Sequence, residues 1–165
     1  MMKKHTAYFF LLVILLSGCR SVQSAFKNDQ KALNIRAKVE AFDFTFEALT
    51  AQSMRFNQVH LSPDYTLKVT KDTLTAYLPY FGQAYTAPLN STEGGIKFTS
   101  TKFEHKLVLG KRPGNWKITF RTLDTPDPLV LFLEIWDNGT AHLNVNDPNR
   151  QSISFDGSIV MDIAR

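Results

Sequence analysis

Cysteine is almost missing from this chain: of 165 residues only Cys19 carries a thiol. No intrachain disulfide can staple the fold and no cysteine cluster can hold a metal, so stability has to come from a packed core. Long apolar runs are also scarce. The longest near the N-terminus, Ala7–Leu16, has ten residues. As a helix it reaches about 15 Å, half of a roughly 30 Å hydrocarbon core, which is too short for a permanent span. Charge of one sign is not concentrated anywhere: 19 basic and 15 acidic side chains lie one or two at a time between apolar positions. That pattern excludes the basic stripe that nucleic-acid binding needs. There is no internal repeat, no glycine-rich loop ahead of a helix to cradle phosphate, and no strand-turn-helix elbow around a serine nucleophile.

What is present at the N-terminus is a processing signal. Lys3 and Lys4 precede the apolar run, and the small residues Ser17 and Gly18 precede Cys19, which is the layout of a secretory signal peptide over residues 1–18. The tetrad Leu16-Ser17-Gly18-Cys19 resembles the bacterial lipobox, in which the thiol receives a diacylglycerol, the chain is cut before the cysteine, and the new amine is acylated. Two or three acyl chains hold a protein on a membrane far more firmly than one, at about 0.8 kcal/mol per buried methylene. The expectation is a membrane partner reached through lipid on Cys19. Cleavage leaves 147 residues with 17 basic and 15 acidic groups. Residues 19–28 read as the lipidated cysteine and a polar tether, and residues 29–165 as a single β domain.

Asp29 is placed to cap a helix, and Ala32, Ile35, Val39 and Phe42 recur three or four apart. Residues 30–40 therefore read as a short amphipathic helix with one apolar stripe. The period then changes to two: Phe42, Phe44 and Phe46 share one face of "FDFTFEA", as a half-buried strand requires. The remainder is a series of short alternating segments, from "YTLKVT" through "WKITFRTL" to "SISFDGSIVM", divided by turn residues such as Pro113-Gly114-Asn115. Asn138-Gly139 is the strong two-residue hairpin signal. Sequence neighbours should pair antiparallel in an up-and-down meander of eight to ten strands. In "LVLFLEIW" apolar side chains point both ways, with Glu134 as the lone charge, so both faces of that strand are expected to be covered, one by the helix and one by a barrel interior. The fold class is mainly β, a lipocalin-like barrel, closed or incomplete, with one short N-terminal helix.

The densest unusual stretch is "YLPYFGQAYTAP", in which Tyr77, Tyr80, Phe81 and Tyr85 surround Pro79 and Gly82. Pro79 cannot donate to a central ladder, so the preceding strand should end here. The four aromatics form either a lip for a small apolar ligand or a plug that closes one end of the core. His105 shares a face with Phe103, Leu107 and Leu109 and is expected to point inward as an interior polar residue. The mature histidines His60, His105 and His142 have no short ligand spacing, so no metal and no cofactor is expected. Asp124 and Asp127 in "LDTPDP" are close enough for an acid and a base, but read as turn chemistry. The chain is expected not to be an enzyme.

The strings "YLPYFGQAY", "EGGIKF" and "NRQSISFDGSI", following the lipobox and helix, resemble the domain-of-unknown-function 4251 family of Bacteroidetes lipoproteins over most of residues 30–160. The resemblance implies an envelope lipoprotein with an antiparallel barrel and carries over no catalytic or ligand residue. In such bacteria acids just after the lipidated cysteine favour surface display, and "CRSVQSAFKND" has none before Asp29. The resemblance therefore implies a domain anchored in the outer membrane and facing the periplasm. Two functions follow: a small-ligand-binding barrel, or an interaction domain that docks another envelope protein and has no ligand cavity.

Overall fold

The computed structural model describes residues 20–53, 57–83, 85 and 94–160, with side chains described from residue 28 onward. Cys19 lies outside them. One helix, α1 (Arg20–Ala41), precedes ten strands: β1 (Phe44–Ser53), β2 (Val59–His60), β3 (Thr66–Val69), β4 (Leu74–Leu78), β5 (Ile96–Ser100), β6 (Phe103–Leu109), β7 (Asn115–Thr122), β8 (Val130–Trp136), β9 (Thr140–Asn146) and β10 (Ile153–Val160). The helix is longer than its apolar stripe predicts. The segment expected to be a tether is helical from Arg20 onward, because polar residues of ordinary helix propensity continue a helix that packing has already nucleated.

The strand order is β5-β4-β3-β1-β10-β9-β8-β7-β6, with β2 added on β1. All pairings are antiparallel. This is the expected up-and-down order, curled so that β1 and β10 join the first and last strands. The sheet is nearly closed into a barrel, and its seam lies between β5 and β6, which are consecutive in the chain but unpaired.

Alternation fills the interior. Phe44, Phe46 and Ala48 of β1, Trp116, Ile118 and Phe120 of β7, Leu131, Leu133 and Ile135 of β8, and Phe155 of β10 are buried in one continuous core. Ile35 and Val39 of α1, one turn apart, join it with no exposed surface. The helix thus seals the barrel end that carries the β6–β7 and β8–β9 turns; a Cβ on Gly139 would lie 3.4 Å from Ile35 Cδ1. Because α1 packs into this end, it does not cover the outside of β8. Phe132 there is 44 % exposed, so the expectation that both faces of "LVLFLEIW" are covered is not met.

Two turns depart from their sequence signals. The β8–β9 connection spans Asp137-Asn138-Gly139 and not two residues, and only Gly139 has a positive φ, at 83°. Its amide donates to the Trp136 carbonyl at 2.8 Å, as in a turn that ends on a left-handed glycine. At the end of α1 the left-handed residue is Phe42, φ 50°. The Phe42 amide donates to the Val39 carbonyl and the Asp43 amide to that of Lys38, the paired bonds that end a helix on a residue usually glycine.

Candidate functional site

The four aromatics, read as one lip or one plug, are divided by the fold. Tyr77 points outward from β4 and stacks on Tyr65, with ring centroids 5.6 Å apart, beneath the Lys97 ammonium at 5.0 Å. Tyr85 is exposed, and its amide donates to the Asn149 carbonyl at 2.8 Å. Tyr80 and Phe81 turn inward and pack against the core. β4 ends at Leu78, and Pro79 follows it, as the missing proline amide demands.

Tyr80 acts as a strut. Its hydroxyl proton is shared between the Gln83 and Gln151 carbonyls at 3.0 and 2.9 Å, and the Arg150 guanidinium lies 5.2 Å from its ring centroid. Burial pushes the Tyr80 phenol above 10.0, with the nearby Arg150 charge opposing that rise. A second strand of this clamp joins the Gln151 amide to the Gln83 carbonyl at 3.0 Å. The arrangement ties the β4 exit to the β9–β10 connection and closes the barrel end opposite α1. That is the geometry of a plug.

His105 is not interior. It shares a row with Phe103 and Leu107 as expected, but β6 borders the open seam and its side chains are mostly exposed, His105 among them. One side of its ring meets Phe42 at a centroid distance of 4.3 Å. His142 stands elsewhere, on the outer face of β9, with Nδ1 2.6 Å from Asp156 Oδ1 on β10. It belongs to a row Lys117, Glu134, His142, Asp156 that crosses four adjacent strands, in which Lys117 also pairs with Glu134 at 3.2 Å. A histidine-aspartate pair is part of a catalytic triad, yet among the described residues no hydroxyl bonds the His142 ring. Nor do three metal-ligating side chains stand together among them.

Asp124 serves the seam. Its carboxylate accepts from Ser100 Oγ, from the Thr101 amide at 2.8 Å and Thr101 Oγ1 at 3.3 Å, and from the Lys102 amide at 3.1 Å. These donors, the Ser100 hydroxyl first, lower its pKa to about 2. Fully engaged in this way, Asp124 holds the corner between β5 and β6 and is not free to act as an acid or base. Thr125 Oγ1 donates to the Asp127 carbonyl at 2.8 Å, which completes an ordinary turn.

The feature that sequence reasoning missed is a groove of ≈ 750 Å³ outside the barrel, between α1 and the β6–β7 hairpin. Helix positions Asp29, Leu33, Arg36 and Glu40 form one wall, with Leu109, the hairpin tip and Trp116 opposite. Leu33 is 65 % and Leu109 74 % exposed. Arg36 Nε donates to Glu40 Oε1 at 2.8 Å along the rim. The two walls lie at least 69 positions apart in the chain, so only one signal pointed to them: Leu33 lies off the buried stripe of its helix.

The sequence profile of the DUF4251 family, described as a domain of unknown function, matches residues 27–159. The chain belongs to the DUF4251 family. A DUF4251 family protein from Bacteroides eggerthii DSM 20697, known from a crystal structure at 1.95 Å, has the same fold, with a TM-score of 0.59 and 17 % identity, over 79 % of this chain and 87 % of the other. No curated protein matches this DUF4251 chain. Among its described residues no helix is long and apolar enough to cross a membrane.

Proposed function

We propose that this DUF4251 domain is a non-catalytic interaction module, held on the outer membrane by lipid on Cys19 and facing the periplasm, that docks another envelope protein through its outer surface. The observation that carries this reading is the filled interior. Phe46, Phe120 and Phe155, with Leu67, Leu74, Leu131 and Leu143, are fully buried where a ligand carrier would have a cavity. α1 and the Tyr80–Phe81 plug seal the two ends. The two edge strands at the seam, β5 and β6, supply backbone groups that no neighbouring strand uses among the described residues, the usual place for a partner to add a strand.

The groove beside α1 favours a second reading, a small apolar ligand held outside the barrel, since its volume is that of ordinary ligand pockets. Native and denaturing mass spectrometry of the mature protein from its own envelope separates the two. A diacylglyceryl increment on Cys19 with no further mass in the native spectrum supports the anchored docking module. A native excess lost on Leu33→Asp moves the function to the groove. An excess lost on Tyr80→Ala would restore a ligand inside the barrel, and an unmodified Cys19 ends the anchor reading.

A further inference from the structure

The helix and hairpin beside the groove run in opposite directions. Phe42, just past the C-terminal end of α1, meets His105 in the middle of β6, whereas Asp29 and Leu33 lie beside Leu109 and the hairpin tip. The tip is therefore next to the part of α1 that leads back toward Cys19. Along the helix axis, Arg20 to Asp29 spans about 14 Å. A lipid on Cys19 leaves no room for a long spacer between bilayer and hairpin.

Charge is unevenly placed at this end. Residues 20–31, the tip 110–114 and the turn 137–139 hold five basic residues, Arg20, Lys27, Lys31, Lys111 and Arg112, against two acids, Asp29 and Asp137. The remaining mature chain holds twelve basic and thirteen acidic residues. All of the net positive charge lies where the anchor enters. Lys111 and Arg112 are exposed, and among the described residues neither has an ion-pair partner. Beside them Leu109 is 74 % exposed, an apolar side chain next to two free cations. Water hydrates the cations but leaves the leucine unburied. A bilayer interface accommodates both, with the aliphatic group at the acyl boundary and the cations among the phosphates.

We propose that the β6–β7 hairpin tip, Leu109 to Arg112, is a membrane-contact surface that rests on anionic phospholipid headgroups and fixes the orientation of the domain on the bilayer. The proposal rests on the reading of Cys19 as the anchor. Attraction of each basic residue acts over about a Debye length, ~10 Å at 0.1 M salt, so a modest inclination of α1 brings the tip within range. From Leu109 back to Phe103 the seam strand β6 then leads away from the bilayer with its lateral edge accessible.

The test uses residues 20–165, which contain every described element and the whole core, without lipid, sedimented with vesicles rich in phosphatidylglycerol and, separately, with phosphatidylcholine vesicles. Binding to the anionic vesicles alone is the expected result. Lys111→Gln with Arg112→Gln should weaken it about 30-fold, from roughly 1 kcal/mol per basic residue at a lipid surface. Lys68→Gln with Lys102→Gln removes the same charge elsewhere and should leave the affinity near that of the unchanged chain. Equal loss in both double variants, or no binding to anionic vesicles, overturns the proposal. Self-association in the absence of lipid that disappears on Leu109→Ser would overturn it too, assigning the tip to a second copy. Since the tested chain carries no lipid, its result does not depend on whether Cys19 is acylated.

Discussion

The Phe42 ring lies 4.3 Å from the His105 imidazole and meets the Phe120 ring edge-on at 6.4 Å. This contact joins the end of α1 to the edge strand of the seam, and a left-handed backbone at Phe42 makes it possible. A non-glycine residue in that conformation costs about 1 kcal/mol. Phe42→Ala keeps the strain and loses the ring, an expected loss of about 2 kcal/mol. Phe42→Gly loses the ring but sheds the strain, so it should be about 1 kcal/mol more stable than the alanine variant. Urea unfolding of the pair checks the order, and an alanine variant at least as stable as the glycine one contradicts it.

Tyr80→Phe isolates the hydroxyl of the plug. The ring stays beneath Arg150, while the Gln83 and Gln151 carbonyls lose their shared donor, for an expected cost of about 1 kcal/mol. The phenol has its pKa raised above 10.0 in the folded chain. Its contribution to stability is therefore complete below that pH and is lost as pH rises through the folded value. Denaturant midpoints measured across the alkaline range should converge for Tyr80→Phe and the unchanged chain.

At acid pH the seam corner should loosen first. Asp124 is lowered from 3.8 to about 2 by its donors, so the stabilisation is present above 3.8 and disappears as pH falls toward about 2. Asp124→Asn should melt at a lower temperature than the unchanged chain at neutral pH, and the gap should close through that acid window. A gap that is constant with pH would show that the carboxylate charge is not what holds Ser100, Thr101 and Lys102.

Gly157 faces the bulge between Ala48 and Thr50 of β1. A Cβ at this position would come 1.9 Å from the Glu47 carbonyl oxygen and 2.8 Å from the Phe46 ring. Backbone on one side and a buried aromatic on the other leave nothing that can yield. Gly157→Ala should cost about 3 kcal/mol or more, read as a fall in the urea midpoint or in folded yield. A change near zero would mean that β1 and β10 can re-register.

Those four sites differ in how far the chain alone exposed them. The alternation of Trp116, Ile118 and Phe120, and the stripe of Ile35 and Val39, are local periodicities, and their burial follows from geometry within one strand or helix. His105 shows the limit. Its row with Phe103 and Leu107 has the inward pattern, but burial also needs a paired strand alongside, and among the described residues β6 has none on its seam side, only the edge contact with Phe42. Asp124 read as a turn residue, and its clamp on a corner twenty-odd residues away depends on the seam closing there. The groove has no local signature, since its two walls meet only when α1 lies against the hairpin.

The strand periodicity, the antiparallel order, the mainly β class and the DUF4251 family were all legible in the chain before any contact was known, because each rests on patterns within a few residues or on strings such as "YLPYFGQAY". Which apolar rows are covered, where the barrel stays open, and that Tyr77 and Tyr80 face opposite sides of the wall follow from the folded packing alone. Alternation assigns a side chain to one of two faces. Whether that face is wet or dry depends on what packs against it, and such contacts join residues far apart in the chain.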